Sequence, residues 1–228
     1  MTLAGAARPV GNPVGGGPAG VPEPRTLEGR FVTLVPTVAD DHTAGLFASW
    51  HDAPDGETVW TYLSFGPFDD ESAMHEWVAW AETTPDFLYR TIVDTASGRL
   101  VGMASFMRIE PEMRTIELGG IWYAPSAQRT RANTEATYLM LRECFDLGYR
   151  RVEWKCDALN KRSRQAALRL GFTYEGIFRQ HMVVKGRNRD TAWFSMLDRE
   201  WPAVRANIER WLGEDPPTVS LRELNAAR

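Results

Sequence analysis

The apolar positions along this chain change period several times, and each change marks an element. From Leu27, LEGRFVTLVPT alternates in part and is rich in β-favouring residues, which predicts a first strand. Helical spacing follows twice, over Ala39–His51 and over Asp70–Thr83. In the second segment Met74, Trp77, Val78 and Ala81 share a face, and Asp69 or Asp70 is placed to cap the first turn. The period then returns to two: FLYRTIVDTASGRLVGMASFMRIE predicts a hairpin turning at Thr95–Gly98, and RTIELGGIWYAP a further strand. Asn133–Leu147 carries Ala136, Leu139, Met140 and Phe145 on one face and stops at Gly148, so it predicts a helix. RRVEWKCD is a strand, and NKRSRQAALRLGF a helix capped by Asn160 and ended at Gly171. GFTYEGIFRQHMVV and RDTAWFSML are two more strands around a turn at Lys185–Asn188, and a last helix runs over Glu200–Leu212. The order β-α-α-β-β-β-α-β-α-β-β predicts one α/β domain, a mixed sheet of about seven strands with helices on its faces.

Composition changes this picture only at the ends. The first 24 residues hold 6 Gly and 5 Pro with almost no large apolar side chain, which predicts a flexible tail at 1–24, a domain over 25–213 and a short C-terminal tail over 214–228. No segment approaches the roughly 18 apolar residues of a membrane span, and no signal-like start is present, so a cytoplasmic protein without membrane contact is expected. Cys144 and Cys156 lack the spacing of a zinc or redox motif and read as buried apolar residues; no metal is expected. The net charge of −4 conceals a division. Residues 36–89 carry 11 acids and no Lys or Arg, whereas 125–190 carry 14 bases against 7 acids. That division suits local solubility, or a cationic half for an anionic ligand and an anionic half for a cationic or amine acceptor. An acidic pI and no basic-aromatic stripe argue against DNA as a partner.

The chemistry concentrates at YAPSAQRTRANTEATYLMLRECF, a strand end, a polar loop and a helix start. A helix N-terminus exposes unpaired N–H groups and the positive end of its dipole, so it stabilises an anion. This loop has no glycine, but Ala132 and Asn133 are small and Arg129 and Arg131 can add charge-assisted contacts. The bland alternative is a solvated turn in which Thr130 or Asn133 caps the helix.

Four segments in this order, LEGRFVTLVP, IELGGIWYAP, QRTRANTEATYLML and NKRSRQAALRLGFTYEG, resemble the GNAT superfamily of N-acyltransferases, in particular its ribosomal-protein N-acetyltransferase-like branch. The resemblance covers roughly residues 25–212. It implies a sheet splayed between its fourth and fifth strands, with acetyl-CoA, or another acyl-pantetheine thioester, as cosubstrate in the gap. Carried over residue by residue, it assigns cofactor binding to the strand residues Ile121, Trp122 and Tyr123, to the loop Gln128, Arg129, Thr130, Arg131, Ala132, Asn133 and Thr134, and to Asn160 with Ser163. Arg131 and Asn133 stand where the family's loop most often has glycine, and Ala167 where it often has a proton-donating tyrosine.

Acyl transfer to an amine needs a base, an oxyanion donor and a proton for the departing thiolate. Glu117 matches the family's glutamate on the fourth strand and is the candidate base, with a solvent-facing or salt-bridged strand residue as the alternative. A backbone N–H near Trp122 or Tyr123, splayed by a bulge, would serve the oxyanion, and Ser163 is the available hydroxyl. His181, Tyr174, Glu153 and Asp157 are weaker candidates. The resemblance implies an acceptor pocket formed by the first two helices and the penultimate hairpin, for a small-molecule or peptide amine; Trp50, Trp60, Tyr62, Trp77 and Trp80 fall in that region and read mostly as core. Two rival readings keep the fold: a donor on an acidic acyl carrier protein, and a non-catalytic acyl-CoA-binding module. The stripe Trp201, Val204, Ile208 and Trp211 on the last helix packs on the domain or serves a homodimer.

Overall fold

The computed structural model describes residues 8–226; the first seven residues of the expected N-terminal tail and the last two of the C-terminal one lie outside them. The elements are β1 (Leu27–Glu28), β2 (Val32–Pro36), α1 (Ala39–His51), α2 (Glu71–Thr83), β3 (Phe87–Asp94), β4 (Leu100–Glu110), β5 (Thr115–Tyr123), α3 (Arg131–Asp146), β6 (Arg151–Asp157), α4 (Lys161–Arg169), β7 (Thr173–Val184), β8 (Arg187–Leu197), α5 (Trp201–Gly213) and α6 (Leu221–Ala226). All eight strands form one open sheet in the order β1-β2-β3-β4-β5-β6-β8-β7. Every pairing is antiparallel except β5 with β6. The expected first strand is two, because Gly29–Phe31 leaves the ladder: the Arg30, Phe31 and Val32 amides donate instead to the Glu135 carboxylate at 2.9, 2.6 and 2.8 Å.

Strand alternation divides the interior in two. Ile116 and Leu118 of β5 join the larger cluster with α3, α4, α5 and α6; Trp122 joins the smaller one with Leu46 and Trp50 of α1 and Met74 and Val78 of α2. Trp50 and Trp60 are buried, as expected for core aromatics, whereas Trp80 is about half exposed. The stripe of α5 packs inward: Val204 and Ile208 are fully buried and Trp201 nearly so. Asp70 caps α2 through the Ala73 amide, and Thr130 rather than Asn133 caps α3.

The expected tails are a point of difference. Ala19 and Pro22 are buried, the Gly20 amide donates to Leu147 O at 2.8 Å, and the buried Arg90 guanidinium donates to the Glu23 and Arg25 carbonyls. Composition undervalues this segment because its anchor is backbone, held by an arginine far away in sequence. At the other end, α6 buries Leu221, and the Asn225 side chain donates to Arg169 O at 2.9 Å. Among the described residues, no helix is long and apolar enough to cross a membrane.

Candidate active site

The sheet comes apart where the resemblance implies it should. β5 and β6 pair in parallel from Thr115 with Arg151 to Leu118 with Trp154, and no further, although β5 continues to Tyr123 and β6 to Asp157. Beyond that last pair, the β6-facing amides and carbonyls of β5 have no strand partner among the described residues, an edge that an extended amide-bearing chain can use. At the split, Gly120 and Ile121 of β5 oppose the single residue Ala104 of β4 between the pairs Ser105–Gly119 and Met103–Trp122, a bulge with Gly120 at φ 58. A Cβ on Gly120 would lie 2.8 Å from the Tyr89 hydroxyl and 3.1 Å from Ser105 Oγ, so both the left-handed backbone and the space demand glycine. Gly120→Ala is therefore expected to destabilise the protein by about 1–3 kcal/mol and to depress turnover, measured by urea unfolding and steady-state rates.

Glu117 sits one residue before the split, buried at 3% exposure on the α1/α2 face. Its Oε2 lies 2.8 Å from Lys155 Nζ and 3.8 Å from Arg108 Nε. Lys155, one residue past the last pair on β6, also stands 4.7 Å from the centre of the Trp193 ring. Burial lifts the Glu117 carboxyl above the ordinary carboxylate range, and the cations, Lys155 foremost, oppose the rise without cancelling it. The carboxylate is thus buried and salt-bridged, and it is not the solvent-facing residue that one alternative expected.

On the other side of the split, Asn160 Oδ1 accepts the Ser163 amide at 3.0 Å, and Ser163 Oγ accepts the Trp154 indole N–H at 3.0 Å. The same hydroxyl also hydrogen-bonds the Cys156 side chain, so its hydrogen reaches a thiolate in the gap by rotating away from that partner. Ala167 is fully buried in the core cluster and presents no hydroxyl to the gap.

The loop before α3 is shaped by side chains instead of glycine. Gln128 Nε2 donates to Tyr123 O at 3.1 Å, Thr130 Oγ1 donates to Ala127 O at 2.8 Å, and Arg129, exposed, is held at φ 61. Tyr123 Oη reaches Asn133 O at 3.3 Å, and burial pushes its phenol up beyond the usual range. Thr134 Oγ1 accepts from Arg169 Nη1 at 2.8 Å. Arg131 requires a correction: its guanidinium donates to the Leu212 and Glu214 carbonyls and to Asp215 Oδ1, so its side chain faces the C-terminal end of α5 instead of serving an anion on the loop.

The weaker candidates are engaged elsewhere. Glu153 pairs with Arg151 at 2.7 Å, Asp157 Oδ1 accepts the Leu159 amide, and His181 Nδ1 bonds Thr191 Oγ1 at 2.9 Å. Several acids of residues 36–89 have structural partners: Asp40 with His75, Asp52 with His51, and Glu82 with the Ala39 amide. Lys155, Arg108 and Arg169 were not singled out from sequence. Lys155 shares strand parity with Glu153, but only the β5/β6 register brings it to Glu117.

Comparison with known proteins agrees with this fold. The model of the Acetyltransferase (GNAT) domain family matches residues 32–173. A GCN5-related N-acetyltransferase structure from Brucella melitensis is 42% identical with a TM-score of 0.89, covering 92% of this chain and 98% of that one. The chain is 31% identical over 105 residues to YdaF of Bacillus subtilis, covering 46% of this chain and 57% of YdaF. It is 38% identical over 82 residues to the ribosomal-protein-serine acetyltransferase of Escherichia coli, covering 36% and 45%. The matches span about half the length of these two curated relatives. With the family model matching well over half of the chain and a solved relative aligned along nearly all of it, the protein belongs to the GNAT acetyltransferase family.

Proposed function

We propose that this protein transfers an acetyl group from acetyl-CoA to a primary amine by direct attack, with Glu117 as general base. The observation that carries this reading is the parting of β5 from β6 beyond Leu118 and Trp154, with a buried carboxylate at its apex and a hydroxyl across the gap. The pantetheine arm would lie along the freed edge of β5 at Ile121–Tyr123, with its phosphates over the Gln128–Thr134 loop and the first turn of α3, where unpaired amides and the helix dipole favour negative charge. Arg129, exposed and without a carboxylate partner among the described residues, is free to join them.

The chain's own groups then divide the proton traffic. Lys155 opposes the rise that burial imposes on Glu117 and so favours the carboxylate, the form that would take the proton the amine loses as its nitrogen attacks the thioester carbonyl. A β5 amide at the bulge, near Trp122 or Tyr123, would receive the oxyanion. Ser163 would donate a hydrogen bond to the departing thiolate, stabilising its charge as the C–S bond breaks. Ser163→Ala is expected to lower kcat by up to about 10²-fold, the low end for a single such donor, because a thiolate leaves readily. Ser163→Thr, which keeps the hydroxyl, should restore most of that loss.

For the acceptor we favour a peptide or protein amine in the cytoplasm, following the relative named for ribosomal-protein serine acetylation; a small-molecule amine is the second class. The test is release of CoA from acetyl-CoA in the presence of serine-started peptides and of simple amines, with the acetylated product identified by mass. Acceptor-dependent release with acetylation at the amine supports the reading. Release that no amine stimulates, with no acetylated product, overturns it.

A further inference from the structure

We propose that Arg131 is a positioning residue, which fixes the shape of the cofactor loop by tying it to the C-terminal end of α5. This inference rests on the acetyl-CoA reading for its consequence, although not for its geometry. Arg131 opens α3, at a loop that contains no glycine yet holds Arg129 in the left-handed region, at φ 61, where a residue with a Cβ is disfavoured. Something must hold that conformation against relaxation. The loop's own hydrogen bonds, Gln128 to Tyr123 O and Thr130 to Ala127 O, are local and would move with it.

Arg131 supplies a distant tie. Its side chain is only 17% exposed, and its guanidinium centre stands 5.3 Å from the Phe31 ring centre and 6.0 Å from that of Trp211. Nη1 donates to Leu212 O at 3.4 Å, and Nη2 to Glu214 O and to Asp215 Oδ1, the latter at 3.1 Å. The partners lie more than 80 residues ahead and include carbonyls of the last turn of α5, groups that have no intrahelical donor and that favour a cation. A planar fork sandwiched near two rings and bonded to three oxygens is committed in both face and edge, so phosphate recognition through this guanidinium would require breaking those contacts. The loop therefore obtains from a far segment the rigidity that its own sequence does not give it.

The test compares Arg131→Ala, Arg131→Lys and Trp211→Ala by two readouts: amide hydrogen exchange over 128–134 in the cofactor-free protein, and the Kd for acetyl-CoA. Expected is exchange at least about tenfold faster in all three, since local opening governs it. Expected too is a Kd raised about tenfold, with lysine failing to rescue because it lacks the planar fork. Trp211 is not among the residues assigned to the phosphate path and touches the loop through Arg131, so its parallel behaviour separates positioning from direct contact. Unchanged loop exchange in all three, with Arg131→Lys binding like the unaltered protein, would overturn the proposal and make Arg131 a simple charge. If the unaltered protein binds no acetyl-CoA, the acetyltransferase reading fails, while the exchange data still decide whether Arg131 holds the loop.

Discussion

Arg90→Ala lowers the stability of the fold by about 3–5 kcal/mol, the range for removing one partner of a buried ion pair. Arg90 is fully buried on β3, and its Nη2 lies 2.9 Å from Glu143 on α3, itself 2% exposed at the side chain. The same guanidinium donates to the Glu23 and Arg25 carbonyls, and Arg25 in turn reaches Glu143 at 3.2 Å. Alanine leaves a buried carboxylate without its main partner and unfastens the N-terminal segment, so two losses fall together. Burial pulls the Arg90 pKa down, and the Glu143 carboxylate opposes the fall. Urea unfolding at neutral pH measures the loss; a change below about 1 kcal/mol would mean that the pair is solvated in a way its burial does not allow. Replacing both partners by apolar residues of similar size should recover part of the stability, because burial of the pair itself carries a large desolvation cost.

Glu117→Gln carries the second large effect: kcat falls by about 10²–10⁴-fold, the usual contribution of a positioned base. Glutamine keeps the side-chain shape and an oxygen for Lys155, so the fold should survive. The sign of the pH dependence follows from the raised pKa. The ionised carboxylate is the active form, so at saturating amine kcat declines as pH falls through a value above the ordinary glutamate range of about 4.3, and the glutamine variant loses that acidic limb. Stability runs the other way. A carboxyl whose folded pKa is raised contributes most below the pKa of the unfolded chain, and that contribution disappears as pH rises through the folded value. Hence Glu117→Gln does not lose stability through the carboxyl's own ionisation at neutral pH. Unfolding curves for this variant that match the parent, together with a lost acidic limb, assign Glu117 to chemistry; a fallen stability with an intact limb assigns it to structure.

Much of this was legible from residue order. Helix limits at Ala39–His51, the caps Asp70 and Asn160, and the stops at Gly148 and Gly171 follow from local chemistry that is indifferent to the rest of the chain. The split between β5 and β6 came from family resemblance, since nothing in the alternation of either strand says where their ladder ends. Lys155 and Arg108 escaped notice because their meeting with Glu117 depends on register between separate strands, which a one-dimensional pattern does not encode. Arg131 shows the same limit: a cation at a helix start suggests an anion, whereas in the fold its side chain bonds positions 212–215, which no local pattern announces. The N-terminal segment was read as free because glycine and proline dominate it, and its attachment uses carbonyls, which every residue has.

Calorimetric titration with acetyl-CoA tests the split sheet as a cofactor site most directly. Expected is saturable binding at one site per chain, with a Kd of roughly micromolar order, weakened by added salt as screened phosphate contacts should be and weakened further by Arg129→Glu. No saturable heat up to about millimolar acetyl-CoA, or binding that neither salt nor Arg129→Glu alters, would contradict it.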